Sequence, residues 1–244
     1  MQSGGQTKNR INKYLAMSGI CSRRDADKLI EQGKVTINGR TAVPGDRVDE
    51  QDIVLVGGKR AKSEEKKVVL AFYKPQGIVC TERDRHAEKM ITDMIHYPIR
   101  VTYAGRLDKD SEGLLLLTND GELIQRMMKA AERHEKEYIV KTDKEITDDF
   151  LKKMAQGVYL DELNLTTRPC KTERIGKFTF RIILTQGVNR QIRRMCQMLG
   201  YRVNALKRIR VLNITLENLV PGKYRELTKE ELALLYEQCG LLRE

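Results

Sequence analysis

The sequence predicts an α+β protein of two unequal domains. A polar, glycine-led segment without periodicity, GGKRAKSEEKK at 57–67, predicts a linker between them. Beyond it, short β-branched runs are mixed with helical ones in an order too irregular for a doubly wound sheet. Neither G-x-G-x-x-G nor G-x-x-x-x-G-K-[ST] occurs, so the sequence does not indicate a nucleotide cofactor. We therefore take residues 1–62 as the first domain, with a short basic linker to 67, and residues 68–244 as the second.

Composition and net charge indicate whether the protein binds nucleic acid or a membrane surface. The 244 residues are 40% hydrophobic and 32% charged, and no apolar run approaches the ~20 residues that span a bilayer. The net charge of +11 favours nucleic acid as the partner, because lysines and arginines gain affinity by releasing phosphate counterions. A membrane surface is the weaker alternative, since it would need a basic amphipathic helix with large apolar residues opposite, and the sequence has no Trp.

Cysteine and histidine spacing argues against a metal or disulfide framework. The five cysteines are scattered without a C-x-x-C, and the three histidines have no ligand-like spacing. The first residues, MQSGGQTKNR, lack the apolar stretch of a secretory signal. We expect a cytoplasmic protein without a bound metal.

The first domain is predicted to be helix, helix, hairpin. KYLAMSGI can form one or two helical turns, and SRRDADKLIEQG follows as a bounded helix. In that helix Ser22 is the N-cap, Asp25 stands three residues on as in a capping box, and Gly33 ends it. KVTINGRTAV alternates around Asn38-Gly39, which predicts a tight hairpin.

Basic residues dominate this small domain. Residues 1–62 hold 12 Lys plus Arg against 7 Asp plus Glu, a balance of +5 that must face outward. On charge alone this is either a solvated basic face or a phosphate-binding one. The stretch RINKYLAMSGICSRRDADKLIEQGKVTINGR resembles the alpha-L RNA-binding domain first known from a small-subunit ribosomal protein. The resemblance implies RNA contacts by five residues of the helical region: Arg10, Lys13, Ser22, Arg23 and Arg24.

The second domain shows five candidate strands and four candidate helices. The strands are predicted in VVLAFYKP, the leucine run at 114–117, EYIVKT, FTFRIIL and RVLNITL. The helices are predicted in GELIQRMMKAA, TDDFLKKMAQG, RQIRRMCQML and KEELALLYEQ.

The loop GRLDKDSEG before the leucine run is the candidate for chemistry. Gly105 and Gly113 permit tight backbone paths at its two ends, and the buried leucines would anchor it. Arg106 can keep Asp108 ionised, as a nucleophile or a base requires. The alternative, a solvated charged loop before a buried strand, remains open on these residues alone.

Five blocks in order resemble the RNA pseudouridine synthases, in the branch that modifies single rRNA sites and carries an N-terminal alpha-L domain. They are KPQGIV, GRLDKDSEGLLLLTNDGEL, HEKEYIV, QGVNRQIRRMCQMLGY and LKRIRVLNITLENLVPGKYREL. The resemblance implies a curved, mixed, largely antiparallel sheet with flanking helices and a cleft across its middle. It implies isomerisation of uridine to pseudouridine in RNA without a cofactor.

The same resemblance implies roles for individual residues. Asp108 would act on the uridine so that the glycosidic bond breaks and re-forms to carbon. Tyr138 would stack on the base and handle a proton at the ring carbon, and Arg193 would pair with Asp108. From the residues alone, a strand tyrosine packed in the sheet is the favoured interpretation of Tyr138. Six further substrate contacts are expected along the cleft, in the basic 186–210 block and at the wall of the base pocket: Lys74, Arg106, Arg190, Arg194, Leu206 and Ile209.

Three segments of the sequence indicate the substrate within that branch. RHEKEYIVKTDKEIT, the Cys170-Lys171 pair and the 186–201 block are most similar to the large-subunit enzyme acting near the peptidyl-transferase region, which implies 23S rRNA or an assembly intermediate. Residues 82–97 depart from that pattern in an expected substrate-facing loop. A non-catalytic rRNA-binding or assembly protein, and an RNA methyltransferase or nuclease, are the rival functions. We expect a monomer.

Overall fold

The computed structural model describes residues 8–49, 51–62, 66–80, 91 and 94–241. These residues divide into two compact units. The first holds the described residues up to Val68 together with Tyr97–Thr102 and Asn119–Gly121, and the second holds the rest. Most of the substrate-facing loop expected at 82–97 lies outside the described residues. In the part of the chain described, no helix combines the length and apolarity needed to cross a membrane.

The first unit packs two short helices against short strands. Helix α1 is Ile11–Met17 and helix α2 is Arg23–Glu31. The strands are β1 Asn9–Arg10, β2 Val35–Ile37, β3 Arg40–Thr41, β4 Arg47–Val48, β5 Val54–Val56 and β6 Lys59–Arg60. They form a four-stranded sheet in the order β3-β2-β5-β6 and a separate β1–β4 pair. The apolar faces of both helices are buried in one core with the strands.

Local signals in the first unit act as the sequence predicts. The side chain of Ser22 accepts a hydrogen bond from the amide of Asp25 at 3.2 Å, which confirms the N-cap of α2. Asn38 and Gly39 both have positive φ, 50° and 84°, and join β2 to β3 as a two-residue hairpin turn. The predicted order of helix, helix and hairpin is therefore confirmed.

The linker prediction was wrong at its start. Gly57 and Gly58 form a hairpin turn, and Lys59–Arg60 pairs with β5 as the edge of the sheet. Ala61 is buried in the core of the first unit, 2% exposed. The polar composition of this stretch reflects an exposed edge strand, whose side chains need no apolar face.

The second unit is built on a sheet of nine strands. Its strands run in the order β13-β14-β10-β15-β9-β7-β17, with β8 beside β9 and β16 beside β15. The bounds are β7 Val69–Lys74, β8 Thr102–Ala104, β9 Glu112–Thr118, β10 Lys136–Thr142, β13 Lys171–Gly176, β14 Thr179–Leu184, β15 Val203–Val211, β16 Ile214–Thr215 and β17 Tyr224–Glu226. A further pair, β11 Tyr159–Leu160 and β12 Leu165–Thr166, stands apart from the sheet. The helices are α3 Gly121–Met128, α4 Asp148–Gln156, α5 Gln191–Met198 and α6 Lys229–Gln238.

The sheet is mixed because of one junction. Strands β9 and β15 run parallel, with Lys207 opposite Glu112 and Arg208 opposite Gly113. Six other pairs of this sheet are antiparallel, as expected: β10–β14, β10–β15, β13–β14, β15–β16, β7–β17 and β7–β9. A separate apolar cluster lies on each side of this junction, one with α3 and α6 and the other with α4 and α5. The junction therefore places the first residues of β9, which follow the Asp108 loop, beside β15 and the strands beyond it.

All four predicted helices of this unit form, and one predicted strand does not. RVLNITL is not continuous, because β15 ends at Val211 and the chain turns at Leu212, whose φ is +52°. Ile214–Thr215 then pairs back onto β15. The apolar pattern of RVLNITL matches both a strand and a hairpin of this length, so it did not reveal the turn.

Candidate active site

The loop that carries Asp108 is held by hydrogen bonds along its backbone. The carbonyl of Asp108 accepts from the amide of Ser111 at 3.1 Å, and the carbonyl of Lys109 accepts from the amide of Gly77 at 2.7 Å. The amide of Leu107 donates to the Cys80 thiol at 3.3 Å. Each bond fixes one peptide of the loop, so the Asp108 side chain projects from a constrained backbone.

Two buried cations brace the same loop from beneath. Lys74, 0% exposed, donates from Nζ to the carbonyls of Ser111 at 2.8 Å and Pro75 at 2.9 Å. Arg208, 3% exposed, donates from Nε to the carbonyl of Leu114 at 2.7 Å. Burial lowers the pKa of Lys74, while Cys80, Asp108 and Asp110 act in the opposite direction. These cations fix the backbone of the loop and add positive charge below Asp108.

The arginines of the basic block contact Asp110 rather than the expected partner. Arg193 donates from Nη2 to the carbonyl of Asp110 at 2.9 Å, and its Nε lies 3.4 Å from that carboxylate. The expected ion pair between Arg193 and Asp108 is therefore absent from the contacts of the described residues. Arg190 is the arginine near Asp108, with Nη1 3.8 Å from its carboxylate, and it also binds Asp110. The acids are two residues apart on one loop, and sequence spacing could not tell which would face α5.

The environment of Asp110 favours its ionised form. Partial burial alone would raise the pKa of this carboxyl. The hydrogen bond from Arg190 and the charges of Arg193 and Arg190 outweigh burial, so the pKa lies below its ordinary value. The same contact raises the pKa of Arg190. Asp110 is thus a fixed negative charge that holds both arginines at the loop.

Asp108 opens into a cleft of about 510 Å³. This volume lies within the range of small-molecule sites, about 300–1,000 Å³. Asp108, Tyr138 and Arg190 line the cleft, so two of the three predicted catalytic residues are brought together. Arg193 contacts the loop from behind and is not among the lining residues that the structure describes. In the described part of the chain, no group of three or more His, Cys, Asp or Glu side chains has the arrangement of a metal site.

The remaining predicted contacts of the second unit fall into two groups. Arg106 and Leu206 line the cleft, whereas Lys74 lies beneath the loop as described. Arg194 instead forms an ion pair with Glu162. Ile209 is the extra residue of a β-bulge, since Tyr138 pairs with Arg208 and the preceding residue pairs with Arg210. Ile209 is not among the described residues that line the cleft, whereas Arg208, two residues from Leu206 on the same strand, is, so the placement of Ile209 was wrong.

The predicted RNA contacts of the first unit lie on its helical part. Arg10 precedes α1, Lys13 is on α1, and Arg23 and Arg24 open α2. All four are exposed. Ser22 is engaged as the N-cap of α2, so its hydroxyl already has a structural role.

Sequence reasoning missed three charged residues of the site. Asp110 was overlooked because it stands beside the stronger candidate Asp108. Lys136 lines the cleft two residues before Tyr138, and its alternation with Tyr138 was a signal that the sequence offered. Arg208 gave no usable signal, because its partners, the carbonyls of Leu114 and Arg106, are remote in sequence.

Comparison with known proteins agrees with this architecture. Residues 68–198 match the family of RNA pseudouridylate synthases, and residues 9–54 match the S4 domain. The dual-specificity RNA pseudouridine synthase RluF of Salmonella typhi is 46% identical over 94% of this chain and 79% of its own length. The ribosomal large subunit pseudouridine synthase B of Bacillus subtilis strain 168 is 37% identical over 93% of this chain and 95% of its own.

A solved structure supports the assignment at the level of the whole chain. A crystal structure of a pseudouridylate synthase superposes with a TM-score of 0.69 at 29% identity, over 93% of this chain and 99% of that one. Its coverage includes both units that the described residues form. The match therefore extends over the part of the chain that matches the S4 domain as well as the part that matches the synthase family. Together with the mixed sheet and the cleft at Asp108, these matches show that the chain belongs to the RNA pseudouridylate synthases and is an enzyme of that family.

Proposed function

We propose that this enzyme converts a uridine of 23S rRNA to pseudouridine, at the uridine-2604-type site near the peptidyl-transferase region. The support is the 46% identity to RluF and the 37% identity to a relative named for the large ribosomal subunit. Another uridine of 23S or 16S rRNA is the alternative within the same reaction. In this proposal the substrate is either the naked RNA or a ribosome assembly intermediate. Because ribosomal RNA is the substrate, we place the enzyme in the cytoplasm. We propose that the enzyme acts as a monomer.

The catalytic assignment rests on one observation, the fixed backbone of the Asp108 loop. Carbonyls on both sides of Asp108 are hydrogen-bonded, to Gly77, Lys74 and Arg208 among others. A group that must meet one carbon of a ribose benefits from such positioning, because a displacement of about 1 Å can cost about 100-fold in rate. We therefore assign Asp108 as the carboxylate that acts on the uridine. Arg190, 3.8 Å away, places a positive charge beside this carboxylate.

The cleft explains how a uridine inside folded RNA could be reached. The nucleotide must be unstacked and flipped, at a cost of roughly a few kcal/mol. Tyr138 lines the cleft with Asp108 and offers a ring on which the flipped uracil can stack. The exposed arginines of the first unit and the basic residues of the cleft supply phosphate contacts that offset the cost.

The supporting roles differ from residue to residue. Arg193 positions the loop through Asp110, and Lys74 positions it through Ser111. Arg106, Arg190 and Leu206 contact the flipped nucleotide from the walls of the cleft. No step requires a metal or a nucleotide cofactor, because isomerisation consumes no co-reactant.

Pseudouridine mapping of rRNA tests the proposal. Cells with the gene deleted are compared with the same cells carrying the wild-type chain, Asp108→Asn or the control Asp148→Asn. Asp148 lies on α4, and its exposed carboxylate forms an ion pair with Arg174 on β13. We expect one 23S pseudouridine to disappear on deletion, to return with the wild type and with Asp148→Asn, and to stay absent with Asp108→Asn.

Two results would contradict this. Loss of a pseudouridine elsewhere in rRNA would replace the proposed site by that one. Survival of every rRNA pseudouridine in the deleted strain, with the protein still bound to rRNA, would favour a role in RNA binding or assembly.

A further inference from the structure

We propose that Lys136 is an additional catalytic residue, the group that accepts the proton from C5 of the target base. This inference rests on the active site proposed above. It leaves Tyr138 the stacking role and gives the proton transfer to its neighbour on the strand.

Lys136 lies on the same wall of the cleft as Tyr138. His134, Lys136 and Tyr138 are spaced two residues apart at the start of β10, and all three line the cleft. Side chains two residues apart on a strand point to one face of the sheet. A base stacked on the Tyr138 ring is therefore next to the Lys136 side chain.

The amine of Lys136 has no acidic partner. Among the described residues, no carboxylate forms an ion pair with its Nζ, and no acceptor forms a hydrogen bond with it. Two other lysines of this region are engaged, Lys74 by two carbonyls and Lys129 by Glu132, and Lys109, which also lines the cleft, is exposed to water. Burying an amine without a partner costs free energy of folding. A role in binding or converting the substrate would explain why a lysine stands at this position.

Its surroundings disfavour the charged form. Burial lowers the pKa of Lys136 to about 8, and the charge of Arg208 on β15 acts in the same direction. Burial also raises the pKa of the Cys80 thiol, so Cys80 contributes no anion to the cleft near neutral pH. A fraction of the Lys136 amines therefore carries a free lone pair near neutral pH, where a base with such a pKa is effective.

Besides Cys80 and Arg208, the charged or titratable groups that line the cleft come from the segment of Lys136 itself and from three other segments. His134 and Tyr138 flank Lys136 on its own segment. The remaining groups face it from the Asp108 loop, from the segment after α3 and from the start of α5: Arg106, Asp108, Lys109, Lys129 and Arg190. Positive groups outnumber Asp108 in this set, and Arg208 adds to them. The field of the cleft thus favours the neutral amine.

The chemistry requires such an acceptor. Isomerisation breaks the bond from C1′ to N1 and forms a bond from C1′ to C5, which then carries both the sugar and a hydrogen. The C5–H bond breaks, and its proton joins the lone pair of Lys136 Nζ. The electron pair re-forms the C5–C6 double bond, and electrons move to N1, which takes a proton from water. The resulting ammonium returns its proton to water, so nothing is consumed.

A deuterium experiment separates proton acceptance from substrate binding. The RNA is total RNA from the deleted strain, grown with uracil carrying hydrogen or deuterium at C5. Wild type, Lys136→Met and Lys136→Arg are compared under single-turnover conditions, with Lys141→Met, an exposed lysine of the same strand, as control. Arginine keeps the positive charge but cannot accept a proton at these pH values.

We expect both Lys136 variants to slow conversion by about 100-fold, the scale of general-base catalysis. Deuterium at C5 then slows both further, because removal of the C5 proton limits the rate. The control reacts as the wild type does. In the wild type the isotope effect grows as pH falls below 8, since the neutral amine is depleted.

Two other outcomes would contradict the assignment of Lys136 as the proton acceptor. If Lys136→Arg restores the rate, or if the variants bind RNA weakly but show the isotope effect of the wild type, Lys136 is a binding residue and not the acceptor. Melting curves verify that the variants fold. The position that reacts in wild type, in rRNA or in another RNA, tests the proposed substrate independently of the isotope effect.

Discussion

The guanidinium of Arg190 binds the carboxylate of Asp110 through two hydrogen bonds, of 3.2 and 2.9 Å. The same guanidinium lies 3.8 Å from the carboxylate of Asp108. One arginine thus connects a carboxylate that positions it to a carboxylate that is proposed to react. Since both side chains of the closer pair are about two-fifths exposed, the pair contributes little to folding.

Asp110→Asn tests this arrangement. The amide keeps the shape of the side chain but removes the charge that holds Arg190, which then adopts other positions around Asp108. We expect pseudouridine formation to fall by about tenfold, the effect of about 1.4 kcal/mol in barrier height. The unfolding free energy should change by less than about 1 kcal/mol, because the ion pair is exposed.

Rate and stability are measured on the same preparations. Asp148→Asn, which breaks another exposed ion pair, serves as the control and should leave the rate unchanged. A rate equal to that of the wild type in Asp110→Asn would show that Arg190 does not need Asp110. A large loss of stability would show instead that the pair has a structural role.

Gly113 determines whether the parallel junction can form. A Cβ at this position would lie 2.2 Å from the carbonyl oxygen and 2.7 Å from the amide nitrogen of Arg208, and φ is +112°. Backbone atoms cannot yield as the end of a flexible side chain can. We expect Gly113→Ala to lower the unfolding free energy by about 3 kcal/mol or more, since strain and overlap add.

Gly77→Ala is the matched control in the same unit. Its φ is +89°, but apart from its two chain neighbours no atom of the described residues lies within 4 Å of the added Cβ, so backbone strain is the expected cost. We expect a loss of about 1–2 kcal/mol there. Denaturant unfolding of the two variants measures the difference. Equal losses would mean that strand β15 moves away from β9 at little cost.

Local signals in the sequence were sufficient for several elements. Helix α2 was predictable because Ser22 and Gly33 mark its ends within the segment itself. The leucine strand was predictable because Leu114–Leu117 is too apolar to be exposed. Strand β13, Lys171–Gly176, was missed because it is an exposed edge strand without an apolar face.

The site was predictable only as far as single residues carry a motif. Asp108 and Tyr138 line one cleft as the family resemblance implied. The partner of Arg193 depends on how α5 sits against the loop, a tertiary relation that residue spacing does not contain. Arg208 rather than Ile209 lines the cleft with Leu206, because residues two apart on a strand share a face.

The unpaired lysine of the cleft predicts a pH dependence of stability. Burial lowers the pKa of Lys136 from the ordinary lysine value of 10.5 to about 8 in the folded protein. Between these values the unfolded chain binds the proton and the folded chain does not, so stability rises with pH. Below pH 8 both states are charged, and the folded protein carries the full penalty of the buried charge.

Lys136→Met removes that penalty. We expect the variant to be more stable than the wild type at pH 7, by on the order of 1–3 kcal/mol. The difference should shrink steadily from pH 8 to pH 10. Denaturant unfolding at several pH values measures it, and comparison with Lys141→Met cancels the general effect of losing a surface charge. A constant difference across this range would contradict the lowered pKa.

The first unit is expected to bind RNA through phosphate contacts at the start of α2. Arg23 and Arg24 are exposed and open the helix, next to the N-cap Ser22. Each phosphate contact releases counterions, so the logarithm of the affinity falls with the logarithm of salt concentration by about 0.7–0.9 per contact. Replacing both arginines by alanine should weaken binding and reduce this slope by about 1.4–1.8.

The slope distinguishes contact from general attraction. Replacing Lys59 and Arg60 by alanine removes the same charge from the exposed edge strand of this unit. If the start of α2 is the RNA-binding surface, the control pair changes the slope by much less than the Arg23 and Arg24 pair. Equal changes would mean that the whole unit attracts RNA by its net charge. Titration of labelled rRNA at four salt concentrations decides between these outcomes. Single-turnover rates at saturating enzyme should be unchanged in the Arg23 and Arg24 variant, because these arginines bind RNA without touching the reacting base.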